Sequence, residues 1–119
     1  MYCTSFKIED FHKDTISFFK NKNVAVTGGT GFIGSHLVEQ LIHLKANPIV
    51  LSKSLNKNFL LSCEEEIEII EVDLFDKNAT FKALKKADIV LHLSASVAGI
   101  EYNSKHPATI FKDNLEMFM

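Results

Sequence analysis

Val24-Ala25-Val26-Thr27-Gly28-Gly29-Thr30-Gly31-Phe32-Ile33-Gly34 is the stretch on which the fold turns. An apolar run over residues 23–27 breaks off in a cluster of glycines. Phe32, Ile33, Leu37, Leu41, Ile42 and Leu44 then recur at helical spacing. The pattern predicts a buried strand, a tight turn and an amphipathic helix. Outward from there, Pro48 follows the helix end and residues 49–51 form a second short strand. Residues 52–66 are a polar connection with an apolar island at Phe59 to Leu61. Ile67, Ile69, Ile70 and Val72 make a third strand. Residues 76–86 predict a helix with Phe81 and Leu84 on one face and a closing lysine pair, and residues 89–93 a fourth strand. A loop containing Ser94, Ala95, Ser96 and Gly99 then leads to a helix opened by Pro107, with Ile110, Phe111, Leu115 and Phe118 at helical spacing. Ahead of it all, Ile8, Phe11, Phe18 and Phe19 predict a short amphipathic helix, either packed beside the main unit or docked as a loose arm.

Strands alternating with amphipathic helices specify a parallel sheet covered on both faces, because parallel strands need crossover connections. The expected division is an arm over residues 1–22 and an α/β unit over 23–119. The sheet is expected to stop after about four strands, since Met119 falls inside an apparent helix with no cap or following strand.

The glycines occupy positions 28, 31 and 34, and Gly29, Gly31 and Gly34 also satisfy G-x-G-x-x-G. A strand-to-helix turn of this kind needs glycine for the sharp turn, for close approach of backbone to a pyrophosphate, and for packing helix on strand. N–H groups and the dipole at the helix start then hold the anion. In this context the motif predicts a doubly wound, Rossmann-type parallel sheet that binds a dinucleotide. The bland alternative is a glycine turn that merely reverses the chain. A nucleoside-triphosphate loop is excluded, because Gly34 is followed by Ser35 and His36 where that loop needs Lys and then Ser or Thr. A carboxylate about twenty residues on normally binds the adenosine ribose. Here Ser52, Lys53 and Ser54 stand in its place, and no acid occurs between Glu39 and Glu64. Hydroxyls with a cation suit a 2′-phosphate, so of NAD and NADP the balance tips to NADP, with a solvated loop lysine as the competing reading of Lys53.

The formal charge of −2 gives no basic surface for nucleic acid. All thirteen basic residues are lysines, so an anion must be held by backbone N–H groups, hydroxyls or ammonium rather than a guanidinium fork. Cys3 and Cys63 stand alone, outside any zinc or disulfide spacing. Residues 1–20 lack the apolar core of a signal peptide and no apolar run approaches ~20 residues, which leads to the expectation of a cytoplasmic protein that spans no membrane. His36 and His43, seven apart on one helix and without an acidic or thiol cluster, are read as surface or interface residues and not metal ligands. Glu64 to Glu66 read as a solvated turn, and Asn114 as a residue that fixes helix packing or a local backbone bond.

Thr27-Gly28-x-x-Gly31-x-x-Gly34, Asp73-Leu74 after the third strand and Leu91-His92-Leu93-Ser94-Ala95 at the end of the fourth together resemble the extended short-chain dehydrogenase/reductase superfamily, that is, NAD-dependent epimerases, dehydratases and reductases of nucleotide sugars. The resemblance runs from about Asn23 to Met119. It implies that Gly28, Thr30, Gly31, Phe32, Ile33 and Gly34 surround the pyrophosphate, with Ser52 and Lys53 at the adenosine ribose. It further implies that Asp73 bonds the adenine amino group, that Leu74 packs near the ring, and that Leu93, Ser94, Ala95 and Ser96 run beneath ribose and pyrophosphate. Ser94 stands where the family usually has alanine. Ser96 to Ile100, His106-Pro107 and Asp113 to Leu115 are similar to GDP-fucose synthase-type epimerase-reductases. The family's catalytic Tyr-x-x-x-Lys is absent: Tyr2 and Tyr102 are followed four residues later by Phe6 and His106. What the resemblance implies is the cofactor portion of a nucleotide-sugar enzyme, with a homodimer as the expected form of the intact parent. Its rivals are a non-catalytic dinucleotide-binding sensor and a short product that folds poorly.

Overall fold

The computed structural model describes residues 7–55, 60 and 67–119. β1 (Asn23–Thr27) lies at the centre of a four-stranded sheet. β2 (Asn47–Ser52) pairs with it on one side and β4 (Ile89–His92) on the other; β3 (Glu68–Glu71) lies outside β2. Every pairing is parallel, with Val26 opposite both Val50 and Leu91. The chain winds outward from β1 through β2 to β3, then crosses back to β4. The connections leaving β1 and β4 therefore diverge, and the crevice beyond their carboxyl ends is the switch point at which open α/β sheets bind ligands.

Alternation along the strands builds two cores. Val24, Val26 and Val50 face α2 (Phe32–His43), where Val38 and Leu41 meet them, all essentially without solvent exposure. Ala25, Ile49 and Leu51 face the other way, toward Ala83 of α3 (Lys77–Leu84). Each fully buried Val or Leu is worth ~1.5–3 kcal/mol, so β1, β2 and α2 form the firmest part of the molecule. Asp76 caps α3 by accepting the Ala79 N–H at 3.0 Å. The helix is shorter than residues 76–86, and its buried residue is Ala83, whereas Phe81 is 74% exposed.

Several expectations are corrected. β2 begins at Asn47, so Pro48 lies inside it, opposite Val24. Pairing with β3 starts only at Ile49, so the missing proline N–H falls at the strand's beginning. The leading segment is broken into a 3₁₀ turn (Ile8–Asp10) and α1 (Lys13–Phe19), with extended backbone at Phe11 and His12 between them. Phe19 packs on the first core while Phe18 is 59% exposed, so the four apolar residues do not share a buried face. Residues 94–106 are not all loop: α4 (Ile100–Lys105) precedes α5 (Pro107–Phe118). Short-range polar bonds hold α4, from Asn103 Nδ2 to Ala98 O and Ser104 Oγ to Ile100 O, together with a Lys105–Glu101 pair. Such bonds leave no apolar periodicity to read. Of the island at Phe59 to Leu61 only Leu60 is described, and it is fully buried. Tyr2, Cys3, Cys63 and Glu64 to Glu66 lie outside the described residues.

Candidate functional site

Past Thr27 the backbone turns sharply. Gly28 takes φ +69°, the left-handed region that side chains resist, and a Cβ there would meet Ser94 N at 3.0 Å. Gly34, in the first turn of α2, sits against that turn so closely that a Cβ would lie 2.1 Å from Gly28 O. Of the two overlapping glycine registers, 28, 31 and 34 therefore includes both the turn and the helix contact. Gly29 has its own constraint, a would-be Cβ 2.9 Å from Val50 Cγ1. Gly31 is the N-cap of α2 and brings no capping side chain. A helix leaves its first N–H groups without intrahelical acceptors, and here they open beside the crevice.

Thr27 joins the two sides of the switch point. Its buried hydroxyl accepts the N–H groups of Leu93 at 3.1 Å and Ser94 at 3.2 Å and lies 2.8 Å from His92 Nδ1. Further along, Asn114 of α5 accepts the Ser96 N–H at 2.8 Å and donates to Ser96 O at 3.0 Å and Ile110 O at 2.8 Å. Asn114 is thus a clamp between loop and helix, the role expected of it.

On the opposite wall, the Thr30 and Ser52 hydroxyls are 3.1 Å apart. Ser52 Oγ donates to Ser54 O at 2.7 Å and accepts the Ser54 N–H at 3.2 Å. Lys53 Nζ meets Asp73 Oδ2 at 2.9 Å, and the Phe75 N–H donates to Asp73 Oδ1 at 3.1 Å. The hydrogen bond from the Lys53 ammonium, followed by that from the Phe75 N–H, holds the Asp73 carboxyl below its ordinary value of 3.8.

These walls enclose a cleft of about 350 Å³. Gly28, Thr30, Gly31, Ser52, Lys53, Asp73, Leu74, Leu93, Ser94 and Ala95 line it. Phe32 and Ile33 do not, their side chains being 64% and 71% exposed on α2, and Gly34 is buried beneath the turn. Ser96 stands just outside, held by Asn114. Leu51, Val72, Phe75 and Met117 line the cleft without having been expected there. The first three adjoin expected residues in sequence; Met117 carried no signal, because only the packing of α5 brings it near.

A larger groove of about 480 Å³ lies between α3, α5 and the sheet and is walled mainly by apolar groups, with Lys77, Thr80 and Glu116 among the exceptions. Among the described residues no three His, Cys, Asp or Glu side chains gather as a metal site. His36 Nδ1 lies 3.9 Å from Glu39 Oε2, and the imidazole meets the Phe32 ring edge-on.

A pyrophosphate suits the crevice: bare backbone and a helix N-terminus approach it, and Cβ atoms at Gly28 or Gly34 would close the turn. The charged residues among those described around it, Lys53 and Asp73, neutralise each other.

The family model for the NAD dependent epimerase/dehydratase family matches residues 24–119. The chain belongs to this family. A sterol-4-alpha-carboxylate 3-dehydrogenase, decarboxylating, from Dictyostelium discoideum is 35% identical over 80% of this chain and 28% of its own length. A UDP-N-acetyl-alpha-D-glucosaminuronate decarboxylase from Bacillus cytotoxicus is 31% identical over 80% of this chain and 30% of its own. Among solved structures of the family, the Thermus thermophilus UDP-glucose 4-epimerase in complex with NAD superposes with a TM-score of 0.65 at 30% identity, over 80% of this chain and 30% of that one. This epimerase/dehydratase family chain thus spans about three tenths of the length of such relatives. None of the three is a GDP-fucose synthase.

Proposed function

We propose that this chain is the cofactor-binding portion of an NAD(P)-dependent enzyme that acts on a nucleotide-linked sugar by hydride transfer. One observation carries the reading: the bare N-terminus of α2, Asp73-Leu74 and Ser94-Ala95 converge on a single cleft at the switch point of the sheet. Family membership and the names of the relatives supply the substrate class.

When bound, the nicotinamide supplies hydride acceptance and donation at a sugar carbon. The chain's own residues hold and orient. N–H groups at the start of α2 take the pyrophosphate beside Gly28, Thr30 and Gly31, with Phe32, Ile33 and Gly34 contributing backbone. Asp73 accepts from the adenine amino group; Lys53 and Phe75 fix its carboxylate while lone pairs remain. Leu74 packs near the adenine, and Leu93, Ser94, Ala95 and Ser96 form the floor. Proton transfer belongs to the tyrosine and lysine that the resemblance places outside these residues.

Preference for NADP over NAD is part of the proposal, supported by Ser52, Lys53 and Ser54 where an NAD-selecting acid would stand. Residues 23–119 form the cofactor unit and 1–22 an appended arm. Exposed Phe111, Leu115 and Phe118 on α5 support association of two copies. No helix among the described residues is long and apolar enough to cross a membrane, and a cytoplasmic setting completes the reading.

Calorimetric titration of the protein with NAD⁺ and NADP⁺, followed by turnover assays with UDP-sugars on the intact parent that carries the tyrosine and lysine, tests these points. Tighter binding of NADP⁺ is expected, and equal or tighter binding of NAD⁺ overturns the preference. Failure to bind either cofactor overturns the whole reading, whereas binding without turnover of any nucleotide sugar leaves a sensor module as the better account.

A further inference from the structure

The Thr27 hydroxyl has one hydrogen and two acceptor positions. Both acceptor positions face N–H groups: that of Ser94 at 3.2 Å, and that of Leu93 at 3.1 Å, which is shared with the Thr27 carbonyl at 3.2 Å. The arrangement directs its hydrogen at the remaining neighbour, His92 Nδ1 at 2.8 Å. An imidazole that accepts at Nδ1 is neutral and carries its hydrogen on Nε2. His92 is exposed on the sheet face opposite α2, at the end of β4, where its ring lies 6.0 Å from that of Phe118. It does not line the cleft, yet it stands one bond from the residue that fixes Gly28 against Ser94.

We propose that His92 is a positioning residue for the pyrophosphate turn, orienting the Thr27 hydroxyl through a neutral imidazole protonated on Nε2. The role in binding rests on the reading of the cleft as a dinucleotide site; the bond itself does not. With Nδ1 accepting, both hydroxyl lone pairs stay directed at Leu93 and Ser94, and the strand end that floors the cleft stays in register with the glycine turn. Without the acceptor the hydroxyl is free to rotate, and one of those two bonds is lost in part of the population. Lys77 of α3 and Glu116 of α5 are the charged groups on the walls of the groove that His92 lines.

Two readouts on the protein expressed from its own open reading frame test this separately. Long-range ¹⁵N–¹H spectra of histidine-labelled protein without cofactor should show His92 as the Nε2–H tautomer; an Nδ1–H or interconverting pattern overturns the proposal. Titration with NAD⁺ and NADP⁺ then compares variants. His92→Phe and Thr27→Val should weaken binding roughly fivefold to tenfold, the scale of one hydrogen bond. His92→Asn, which restores an acceptor near Nδ1, and Thr27→Ser, which restores the hydroxyl, should bind like the wild type. Wild-type affinity in His92→Phe overturns the proposal, as does equal loss in His92→Phe and His92→Asn, and the asparagine variant serves if the phenyl one does not fold. Should the wild type bind neither cofactor, the dinucleotide reading falls and the positioning role with it, while the ¹⁵N spectra still report whether the Thr27–His92 bond exists.

Discussion

Replacing Gly34 with alanine sets two opposed effects against each other. In a helix alanine is favoured over glycine by ~1 kcal/mol, so propensity alone stabilises the variant. Against this, the new Cβ would stand 2.1 Å from Gly28 O, 2.8 Å from Gly28 C and 2.8 Å from Gly29 Cα. All three are backbone atoms, and no rotamer change relieves them. Recovering ordinary contact requires α2 to move from the turn by about 1 Å, and forced overpacking of this kind costs ~1–3 kcal/mol or more. With three backbone atoms in the way the clash falls at the upper end of that range and wins, leaving a net loss of about 2 kcal/mol. Each kcal/mol lowers the melting temperature by about 4–8 °C in a domain of this size class. The same movement carries the α2 N–H groups away from the pyrophosphate, and losing one charge-assisted hydrogen bond of ~1.5–3 kcal/mol weakens cofactor binding roughly tenfold to a hundredfold. Thermal melting and calorimetric titration of Gly34→Ala check both numbers. Gly99→Ala is the control, since nothing lies within 4 Å of a Cβ there. A Gly34→Ala protein that melts and binds like the wild type would refute the packing account of the turn.

Asn114→Ala removes all three bonds around Ser96 and Ile110 and should cost ~1–3 kcal/mol by urea denaturation, leaving the Ser96 amide without its partner. Lys45 closes α2 at φ +60°, so Lys45→Gly relieves left-handed strain that outweighs the added freedom of the unfolded chain; a gain of about 0.5–1 kcal/mol is expected in the same assay. The Asp73 carboxyl titrates lower in the folded chain than in the unfolded one. Its contribution is therefore complete above the ordinary value of 3.8 and is lost as pH falls through the lowered folded value. Denaturation across that acidic range should show wild type and Asp73→Asn converging as pH falls, while Lys53→Met shrinks the difference at neutral pH.

The parts of this structure legible in the sequence are those where one local rule governs. Val24 to Gly34 showed strand, turn and helix because burial, left-handed backbone and helix packing each demand a particular residue there. β3 and α5 were legible through periodicity. α4 was not, since Asn103 and Ser104 hold it by local polar bonds and Ile100 is 88% exposed. The break at Phe11 and His12 was hidden for the opposite reason: apolar residues at roughly helical spacing lay on both sides of it. In the cleft, residues at strand ends could be named because a parallel sheet brings its carboxyl ends together. The bonds linking them could not. The contact of Thr27 with His92 spans 65 positions and that of Lys53 with Asp73 spans twenty, and each depends on strand order, which alternation alone leaves open.

Strand order also explains why the two walls of the cleft differ in support. The turn and Ser52 rise from β1 and β2, whose inward residues are sealed by α2 on one face and by α3 on the other. The wall of Ser94, Ala95 and Ser96 rises from β4, where Val90 is 46% exposed on the α3 side of the sheet and Phe81 and Phe118, which line the groove there, are each 74% exposed. Ile89, Leu91 and Leu93 pack that wall on the α2 side, but its α3 side is open, so polar ties carry more of its placement there: Thr27 to Leu93 and Ser94, and Asn114 to Ser96. Each tie has an absolute requirement for its geometry, because a hydroxyl or amide shifted by an ångström loses its bond, whereas an apolar contact weakens gradually. A cofactor bridging both walls would bind the sealed half as it stands and would add to the second half the contacts that packing there does not supply.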